Sequence, residues 1–228
     1  EGGEEQKDIF NVLPMSFGQE VEKRVKKTIS LSSESIIFEN YTLVNEDIQI
    51  VIENCREVKF VNCEFDRLRV TPLVISSCNS VMFENCTFKN ISSEVLVLVE
   101  CTDLAIKNCE FDFITVPNII RFNTIDNFLI ENSLFVKISF KQLSEAIISV
   151  TEWPDNFIIR SNTFINCKNT SGFGSLLLYS NAKLNDNANI LIDRNEFVNC
   201  FASVVLNCQY LEPKHYSSNK IDNNTKLR

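Results

Sequence analysis

The stretch that decides the fold is SVMFENCTFKN, Ser80 to Asn90, because its pattern returns along most of the chain. An apolar residue such as Phe83 is followed, after a few polar or small residues, by a second apolar anchor such as Phe88. The second anchors fall at Leu43, Phe65, Phe88, Phe111, Phe135, Phe164, Phe197 and Ile221. Successive anchors are separated by 22, 23, 23, 24, 29, 33 and 24 residues. A nearly constant repeat of this length is typical of a solenoid, in which each repeat forms one coil.

Each repeat carries three short apolar segments and no helical stripe. The third segment is a β-branched or aliphatic run, as in PLVISSC at 72–78, VLVLVEC at 95–101 and SLLLYSN at 175–181. Runs of this length with Asn, Asp or Ser at their ends are typical of β-strands. Three short strands per coil, each stacked on its equivalent in the next coil, predict an all-β, single-stranded parallel β-helix. About eight coils at about 4.8 Å per coil would form a rod about 40 Å long.

Asparagine recurs at the bend between the two anchors of a repeat. It occupies Asn40, Asn62, Asn85, Asn108 and Asn132 in the earlier coils and lies one residue later, at Asn162 and Asn195, in two later coils. Asn tolerates the left-handed backbone conformation of a sharp bend better than most other residues with a side chain. We therefore predict a ladder of turn residues (Asn62, Asn85, Asn108, Asn162, Asn195) and an internal ladder of Phe side chains (Phe65, Phe88, Phe111, Phe135, Phe164, Phe197).

These Asn turns and Phe columns, over about residues 36–225, resemble the right-handed parallel β-helix superfamily, the pectate-lyase-like fold. The resemblance implies a right-handed solenoid whose ligand groove lies against the sheet of long apolar strands. The Phe-x-Asn motif at Phe88–Asn90, Phe164–Asn166 and Phe197–Asn199 is also similar to repeats of polymorphic outer-membrane and protist surface proteins. The chain departs from those repeats because it lacks their Gly-Gly-Ala-Ile motif and contains only five Gly.

Three segments are predicted along the chain. Residues 1–13 are acidic and contain Gly, and we expect them to be disordered or a remnant outside the fold. Residues 14–30 carry apolar residues at every fourth position from Phe17 to Ile29, which predicts a short amphipathic helix that caps the first coil. Residues 31–228 are predicted to form the β-helix. Because the chain begins without Met and ends without an evident cap, we expect it to be part of a larger protein.

Composition and charge argue against several classes of partner. A formal net charge of −8 argues against nucleic acid, because phosphate contacts require a basic surface. No apolar run is long enough to span a membrane. The chain has 18 Phe against one Trp and four Tyr, which favours an internal aromatic ladder over a surface rich in binding aromatics.

The nine Cys follow the repeat. Two trios share a spacing of 23 residues: Cys55, Cys78 and Cys101, and Cys63, Cys86 and Cys109. Each trio is predicted to form a column of one Cys per coil, with parallel side chains that do not readily form disulfides. The chain has no Cys-x-x-Cys pair and only one His, so no metal site is predicted. We expect these residues to be free thiols packed as small apolar side chains.

Two later coils are longer than the others, and their extra residues fall at two matching places. They follow the Phe strand in VKISFKQLSEA and INCKNTSGFG, and they follow the long apolar strand in TEWPDN and SNAKLNDNAN. Insertions at matching corners are expected to stack into walls beside a groove. The candidate ligand- or partner-binding residues are Trp153, Phe173, Tyr179, Lys183 and Asp186, with Arg121 on a neighbouring strand. An exposed Trp153 could stack on a sugar or anchor a protein; alternatively, it packs over a corner beside Pro154.

The sheet beside this groove offers no catalytic constellation in the sequence. A polysaccharide hydrolase needs two facing carboxylates, and the resemblance implies that a lyase needs a carboxylate cluster with a nearby Arg or Lys. The polar residues of this sheet are Glu53, Ser76, Glu100, Arg121, Asn123, Ser149 and Asn207. Arg121 beside Glu100 is a weak candidate pair, and a surface ion pair is far more common. We therefore predict no catalytic residue, no metal ligand and no cofactor, and we favour a non-catalytic protein over an enzyme.

Three functions remain open from the sequence. The favoured one is a module for adhesion or protein interaction, because the unbroken apolar run Val95–Val99 must leave an apolar face that something covers. The alternative is a carbohydrate-binding or polysaccharide-degrading protein with its groove between the loops of coils five and six. The third is a structural spacer.

Partners and location also remain open. A protein and a glycan are both candidate partners, and association end to end or through a sheet face is left open. Glycosylation sequons begin at Asn40, Asn85, Asn90, Asn169 and Asn223. Sequons favour secretion or the cell surface, whereas free cysteines are compatible with an intracellular location.

Overall fold

A computed structural model describes residues 27–44, 47–142, 144–172, 174–185, 187–208, 210–216, 218–223 and 225–227. Within these residues the chain is all-β, with 27 strands numbered along the chain and one short 3-10 helix at Pro213–His215. The strands form four sheets in which stacked neighbours run parallel. The protein is therefore a parallel β-solenoid. Among the described residues, no helix is long and apolar enough to cross a membrane.

Three of the sheets run the length of the solenoid. Sheet A has eight strands: β1 (Lys27–Leu31), β4 (Ile48–Glu53), β7 (Leu73–Ser76), β10 (Leu96–Val99), β13 (Asn118–Phe122), β17 (Ala146–Val150), β21 (Ser175–Ser180) and β25 (Val204–Cys208). Sheet B has seven: β2 (Ser35–Glu39), β5 (Glu57–Val61), β8 (Ser80–Glu84), β11 (Asp103–Lys107), β14 (Asn127–Glu131), β18 (Asn156–Arg160) and β22 (Asn189–Asp193). Sheet C has eight: β3 (Thr42–Val44), β6 (Glu64–Asp66), β9 (Thr87–Lys89), β12 (Glu110–Asp112), β15 (Leu134–Val136), β19 (Thr163–Ile165), β23 (Glu196–Val198) and β26 (Lys220–Ile221).

The predicted Phe ladder is the spine of the core. Phe65 stands in register with Phe88, and their rings stack with centroids 4.9 Å apart and planes 4° from parallel. Phe111 and Phe135 repeat this geometry at 4.7 Å and 2°. These spacings match the distance between hydrogen-bonded strands, so the stacking of the coils sets the ring geometry. All six ladder rings are buried.

Every corner after sheet B turns through one residue in the left-handed region. These residues stand two positions after the inward anchor, with φ of 51–56°: Asn40, Asn62, Asn85, Asn108, Asn132, Ser161 and Arg194. The predicted turn ladder is therefore confirmed for the earlier coils. Asn162 and Asn195 also stack on each other, but Ser161 and Arg194 take the left-handed position and the two Asn side chains lie buried one residue later.

The residues that follow this bend form a second internal ladder, whose side chains are thiols, a hydroxyl and amides. Its members, one per coil, are Cys63, Cys86, Cys109, Ser133, Asn162, Asn195 and Asn219. The backbone N–H of Cys86 donates to Cys109 Sγ (3.4 Å), and that of Ser133 donates to Asn162 Oδ1 (2.9 Å). Thiol, hydroxyl and amide therefore do the same work of accepting a buried N–H from the neighbouring coil.

The cysteine columns are confirmed. Cys86 lies over Cys63 and under Cys109, and the Cys86 thiol donates to the carbonyl of Phe60 one coil below at 3.3 Å. All nine Cys are free; eight are buried and Cys208 is half-buried. Parallel side chains that satisfy backbone groups explain why stacked thiols need not pair.

The first described segment of the chain is a strand and not the end of the capping helix predicted over residues 14–30. Lys27–Leu31 forms β1 and pairs in parallel with β4, so a helix over 14–30 cannot extend through these residues. The run KTISL is rich in β-branched residues and joins the apolar edge of sheet A, which explains the strand. The rest of the predicted helix and the segment 1–13 lie outside the described residues.

The extra residues after the Phe strand stack on each other as two strands of a fourth sheet. Sheet D has four short strands: β16 (Ser139–Phe140), β20 (Lys168–Asn169), β24 (Phe201–Ala202) and β27 (Lys226–Leu227). Asn169 is fully buried, and its Nδ2 donates to the carbonyls of Gln142, Glu145 and Ser175 at 2.9–3.2 Å. One amide thus ties two adjacent insertions to sheet A.

Candidate functional site

The structure shows Trp153 packing over a corner. Its side chain is only 7% exposed, and its Nε1 donates to the carbonyl of Ala182 in the next coil at 2.9 Å. The ring meets Phe157 edge-on, with centroids 5.3 Å apart. Of the two alternatives for this residue, corner packing is the observed one, and no ring face is presented for stacking on a sugar. The insertions TEWPDN and SNAKLNDNAN do stack on each other, as predicted, through this bond.

A polar pocket lies beside this corner, between sheets A and B. Its volume is about 330 Å³. We call it the corner pocket. Its polar and aromatic lining residues are Asp126, Glu152, Trp153, Asp155, Lys183 and Asn185. The Nδ2 of Asn185 donates to Asp155 Oδ1 at 3.3 Å across the two insertions. Because its charged groups are exposed, the pocket suits a small polar solute more than a buried reaction centre.

Lys183 lines this pocket, whereas the predicted site residues Tyr179 and Arg121 do not. Tyr179 and Arg121 belong to the outward row of sheet A, where Ser149 stands between them in register. Arg121 forms a surface ion pair with Glu94 at 3.0 Å, and not with Glu100, its weak candidate partner. Phe173 and Asp186 lie outside the described residues. The predicted set is therefore divided between a corner and a sheet face.

The outer face of sheet B carries a row of apolar side chains. Its members, half-exposed in five consecutive coils, are Met82, Ala105, Leu129, Ile158 and Leu191, which we call the sheet B stripe. The row continues to Ile37, which is 53% exposed, with Lys59 between. Four members of the stripe, from Met82 to Ile158, line a groove of about 400 Å³ together with their neighbours. A continuous apolar row on an outer face is the kind of surface that binds a partner.

A row of amides borders the stripe on one side. The Nδ2 of Asn127 donates to Asp103 at 2.6 Å, that of Asn156 to Asn127 at 2.6 Å, and that of Asn189 to Asn156 at 3.2 Å. Asn127 and Asn156 each use one donor and one acceptor in this ladder and keep others for a ligand. The groove therefore offers apolar contact and hydrogen bonds side by side.

Charged residues border the other side of the stripe. Glu131 accepts two hydrogen bonds from Arg160, at 2.7 and 2.9 Å, and lies 3.4 Å from Lys107 Nζ. The hydrogen bonds from Arg160, with the charge of Lys107, hold the pKa of Glu131 below its usual value. This carboxylate is therefore ionised and locked in place at neutral pH.

Three thiols, those of Cys78, Cys86 and Cys208, are not poised as nucleophiles. Burial raises the pKa of Cys78 and of Cys208 to about 12. The hydrogen bond with Cys109 raises the pKa of Cys86 to about 12. Nucleophilic and metal chemistry of Cys requires the thiolate, so these side chains act as packing and hydrogen-bonding groups at neutral pH. Among the described residues, no three His, Cys, Asp or Glu side chains are grouped to hold a metal ion.

Sequence reasoning missed the sheet B stripe. The strands that carry it alternate two apolar rows, as in SVMFE and NFIIR, and only the structure shows which row faces inward. The same ambiguity is resolved in sheet A, where Leu96 and Leu98 are buried and Val97 is half-exposed. The signal was present as a second apolar residue at every coil from Met82 onward.

Comparison of the chain with protein-family models and with curated proteins found no match. Among the sequons, Asn169 is fully buried and cannot be an acceptor in the folded protein, whereas Asn40, Asn85, Asn90 and Asn223 are exposed.

Proposed function

We propose that the chain is a non-catalytic, right-handed parallel β-helix of about eight coils, of the pectate-lyase-like kind, that serves adhesion or protein interaction. Its partner is a protein that lays apolar side chains along the sheet B stripe. The observation that supports this most is the stripe itself, unbroken over five coils between an amide row and a charged row. Rigid strands hold all three rows, so the surface is organised before a partner arrives.

The size of this face sets the expected affinity. Strands of five residues at about 3.3 Å per residue are about 16 Å wide, and seven strands at about 4.8 Å spacing cover about 29 Å. The resulting area of about 460 Å² lies below the roughly 800 Å² per partner of a standard stable interface. The face by itself therefore supports a weak or transient contact, which repeated copies on a surface would strengthen.

A photo-crosslinking experiment tests the proposal. A photoreactive amino acid replaces Leu129 in the stripe or, as a matched control, Leu134, which is half-exposed on the outer face of sheet C. We expect one protein to be crosslinked from position 129 and not from 134. The purified partner is then expected to bind the Leu129→Lys/Ile158→Lys double variant at least tenfold more weakly. Equal crosslinking at both positions, or unchanged affinity, would reject the stripe as the binding surface.

The corner pocket supports the alternative, a carbohydrate-binding protein. Stacked insertions carry its polar groups, which could hydrogen-bond sugar hydroxyls. Because Trp153 is part of the core, the informative substitutions are Lys183→Ala and Asp155→Ala, which remove exposed groups. Glycan-array binding that disappears in both variants would establish this alternative. Glycan binding that both variants retain would exclude the pocket as its site.

A further inference from the structure

One of the corners after sheet C is formed by a residue of an unusual type, Phe113. Like the corners after sheet B, the six corners after β6, β9, β12, β15, β19 and β23 turn through a residue with positive φ, between 51° and 56°: Arg67, Asn90, Phe113, Lys137, Asn166 and Asn199. Five of the six are long polar residues or Asn. Phe113, at φ 56°, is bulky and is 58% exposed. A bulky aromatic residue in the left-handed region is an outlier, and such outliers concentrate at functional sites.

Three lysines surround the exposed ring of Phe113. Lys137 is the next residue in the same corner row, Lys168 begins β20, and Lys141 follows β16. Together with Ser139 and Asn166 they line a pocket of about 400 Å³ between sheets C and D. We call Phe113, Lys137, Lys141 and Lys168 the lysine pocket. Among the described residues that line it, none is Asp or Glu.

The charges of the lysine pocket are available to a ligand. Within the described residues, no carboxylate lies within ion-pair distance of Lys137, Lys141 or Lys168, whereas Lys59, Lys107, Lys214 and Lys220 all form ion pairs. The buried carboxylate of Glu145 accepts the backbone N–H groups of Lys141 and Gln142 at 2.6 and 2.8 Å. It thereby fixes the turn that carries Lys141. Three lysines that line one pocket, on a chain of net charge −8, form a local positive site.

We propose that the lysine pocket binds an acidic segment of a protein partner in which carboxylates flank an apolar side chain. The carboxylates meet the three ammonium groups, and the apolar side chain covers the ring of Phe113. A bare inorganic anion would leave that ring exposed, so charge alone does not explain the residue at this corner. The lysine pocket and the sheet B stripe lie on different faces, so either proposal can fail while the other stands.

Synthetic peptides test the proposal on the full chain. Fluorescein-labelled ten-residue peptides contain either acidic residues around one Leu, acidic residues only, or Lys in place of the acidic residues. By fluorescence anisotropy we expect the acidic peptide with Leu to bind tightest, the wholly acidic peptide to bind several-fold more weakly, and the Lys peptide not to bind. Raising the salt from about 50 to about 200 mM should weaken binding several-fold, because exposed charges are screened. Failure of the acidic peptide with Leu to bind, or equal binding of all three, would overturn the proposal.

Two variants assign the binding to these residues. Lys137→Ala/Lys141→Ala/Lys168→Ala should weaken binding at least tenfold, whereas Arg56→Ala/Lys214→Ala/Lys220→Ala, which removes the same charge elsewhere, should not. Phe113→Asn should reduce the affinity for the Leu peptide to that for the wholly acidic peptide. Because Asn tolerates the left-handed region, the same change should leave Tm unchanged or raise it by about 2–4 °C. Equal effects of both triple variants, or a Phe113→Asn protein that still prefers the Leu peptide, would contradict the proposal.

Discussion

The regular coils, residues 48–126, and the expanded coils, residues 127–208, share one core and differ at their corners. The Phe ladder passes from one region to the other without a change of spacing, at 4.7 Å from Phe111 to Phe135 and 4.9 Å from Phe135 to Phe164. In the regular coils, sheet A also ends at left-handed residues, namely Asn54, Ser77 and Glu100. In the expanded coils the corresponding corner is built by the insertion that contains Trp153. Strand register therefore fixes the core, and the corners absorb the added residues.

The largest expected effect tests whether the core is the same in both regions. Phe88→Ala in the regular coils and Phe164→Ala in the expanded coils should each lower the free energy of unfolding by about 3–5 kcal/mol, because both rings are fully packed. Urea denaturation measures this. A loss below about 1 kcal/mol at Phe164 alone would show that the expanded coils are held together differently.

Alanine substitutions at Gly172 and Gly174 test how tightly the insertion is packed against Asn169. A Cβ at Gly174 would lie 2.2 Å from the buried side chain of Asn169, whereas a Cβ at Gly172 meets nothing within 4 Å. Gly174→Ala should therefore cost about 1–3 kcal/mol of unfolding free energy, since Asn169 cannot move without losing its three carbonyl partners. Gly172→Ala is the control and should be neutral or slightly stabilising. Equal effects would mean that Asn169 does not lock the insertion.

The sequence anticipated the core better than the corners, for a physical reason. The spacing of the Phe anchors determines which residues stack, and the structure confirms that column. Trp153, Arg121 and Lys27–Leu31 depend on contacts with distant segments, namely Ala182, Glu94 and β4, which no local pattern encodes. The outward rows were hidden because both faces of several strands carry apolar residues. The binding proposals rest on those rows and on Phe113, whose left-handed conformation only the structure shows.

The rate of thiol modification can be compared between the regular coils, which contain Cys78 and Cys86, and the expanded coils, which contain Cys208. Because burial or a thiol hydrogen bond raises the pKa of Cys78 and Cys86 to about 12, these two buried Cys should react with a disulfide reagent at pH 8 only as fast as the protein unfolds. The half-buried Cys208 should be the first to react. Rapid labelling of Cys86 in the native protein, identified by mass spectrometry, would show that the regular coils open locally.

The smallest expected effect concerns the ion pair at the border of the stripe. The folded-state pKa of Glu131 is lowered, so its stabilising contribution is present above its unfolded value near 4.5 and is lost as the pH falls through the folded value. Glu131→Gln should therefore lower the stability at pH 7 and make less difference below about pH 4. Glu152→Gln removes an exposed carboxylate of the corner pocket as the control. A constant difference between the Glu131→Gln variant and the parent protein from pH 7 to pH 3 would contradict the pairing with Arg160.

The most direct test asks which part of the surface binds a protein. The partner crosslinked from position 129 is titrated against the parent chain, the Leu129→Lys/Ile158→Lys variant and the Lys183→Ala/Asp155→Ala variant, with Tm measured for each. We predict at least a tenfold loss of affinity in the stripe variant, with unchanged binding in the corner-pocket variant and similar Tm values throughout. A loss confined to the corner-pocket variant would contradict this prediction and would place the binding site on the expanded loops.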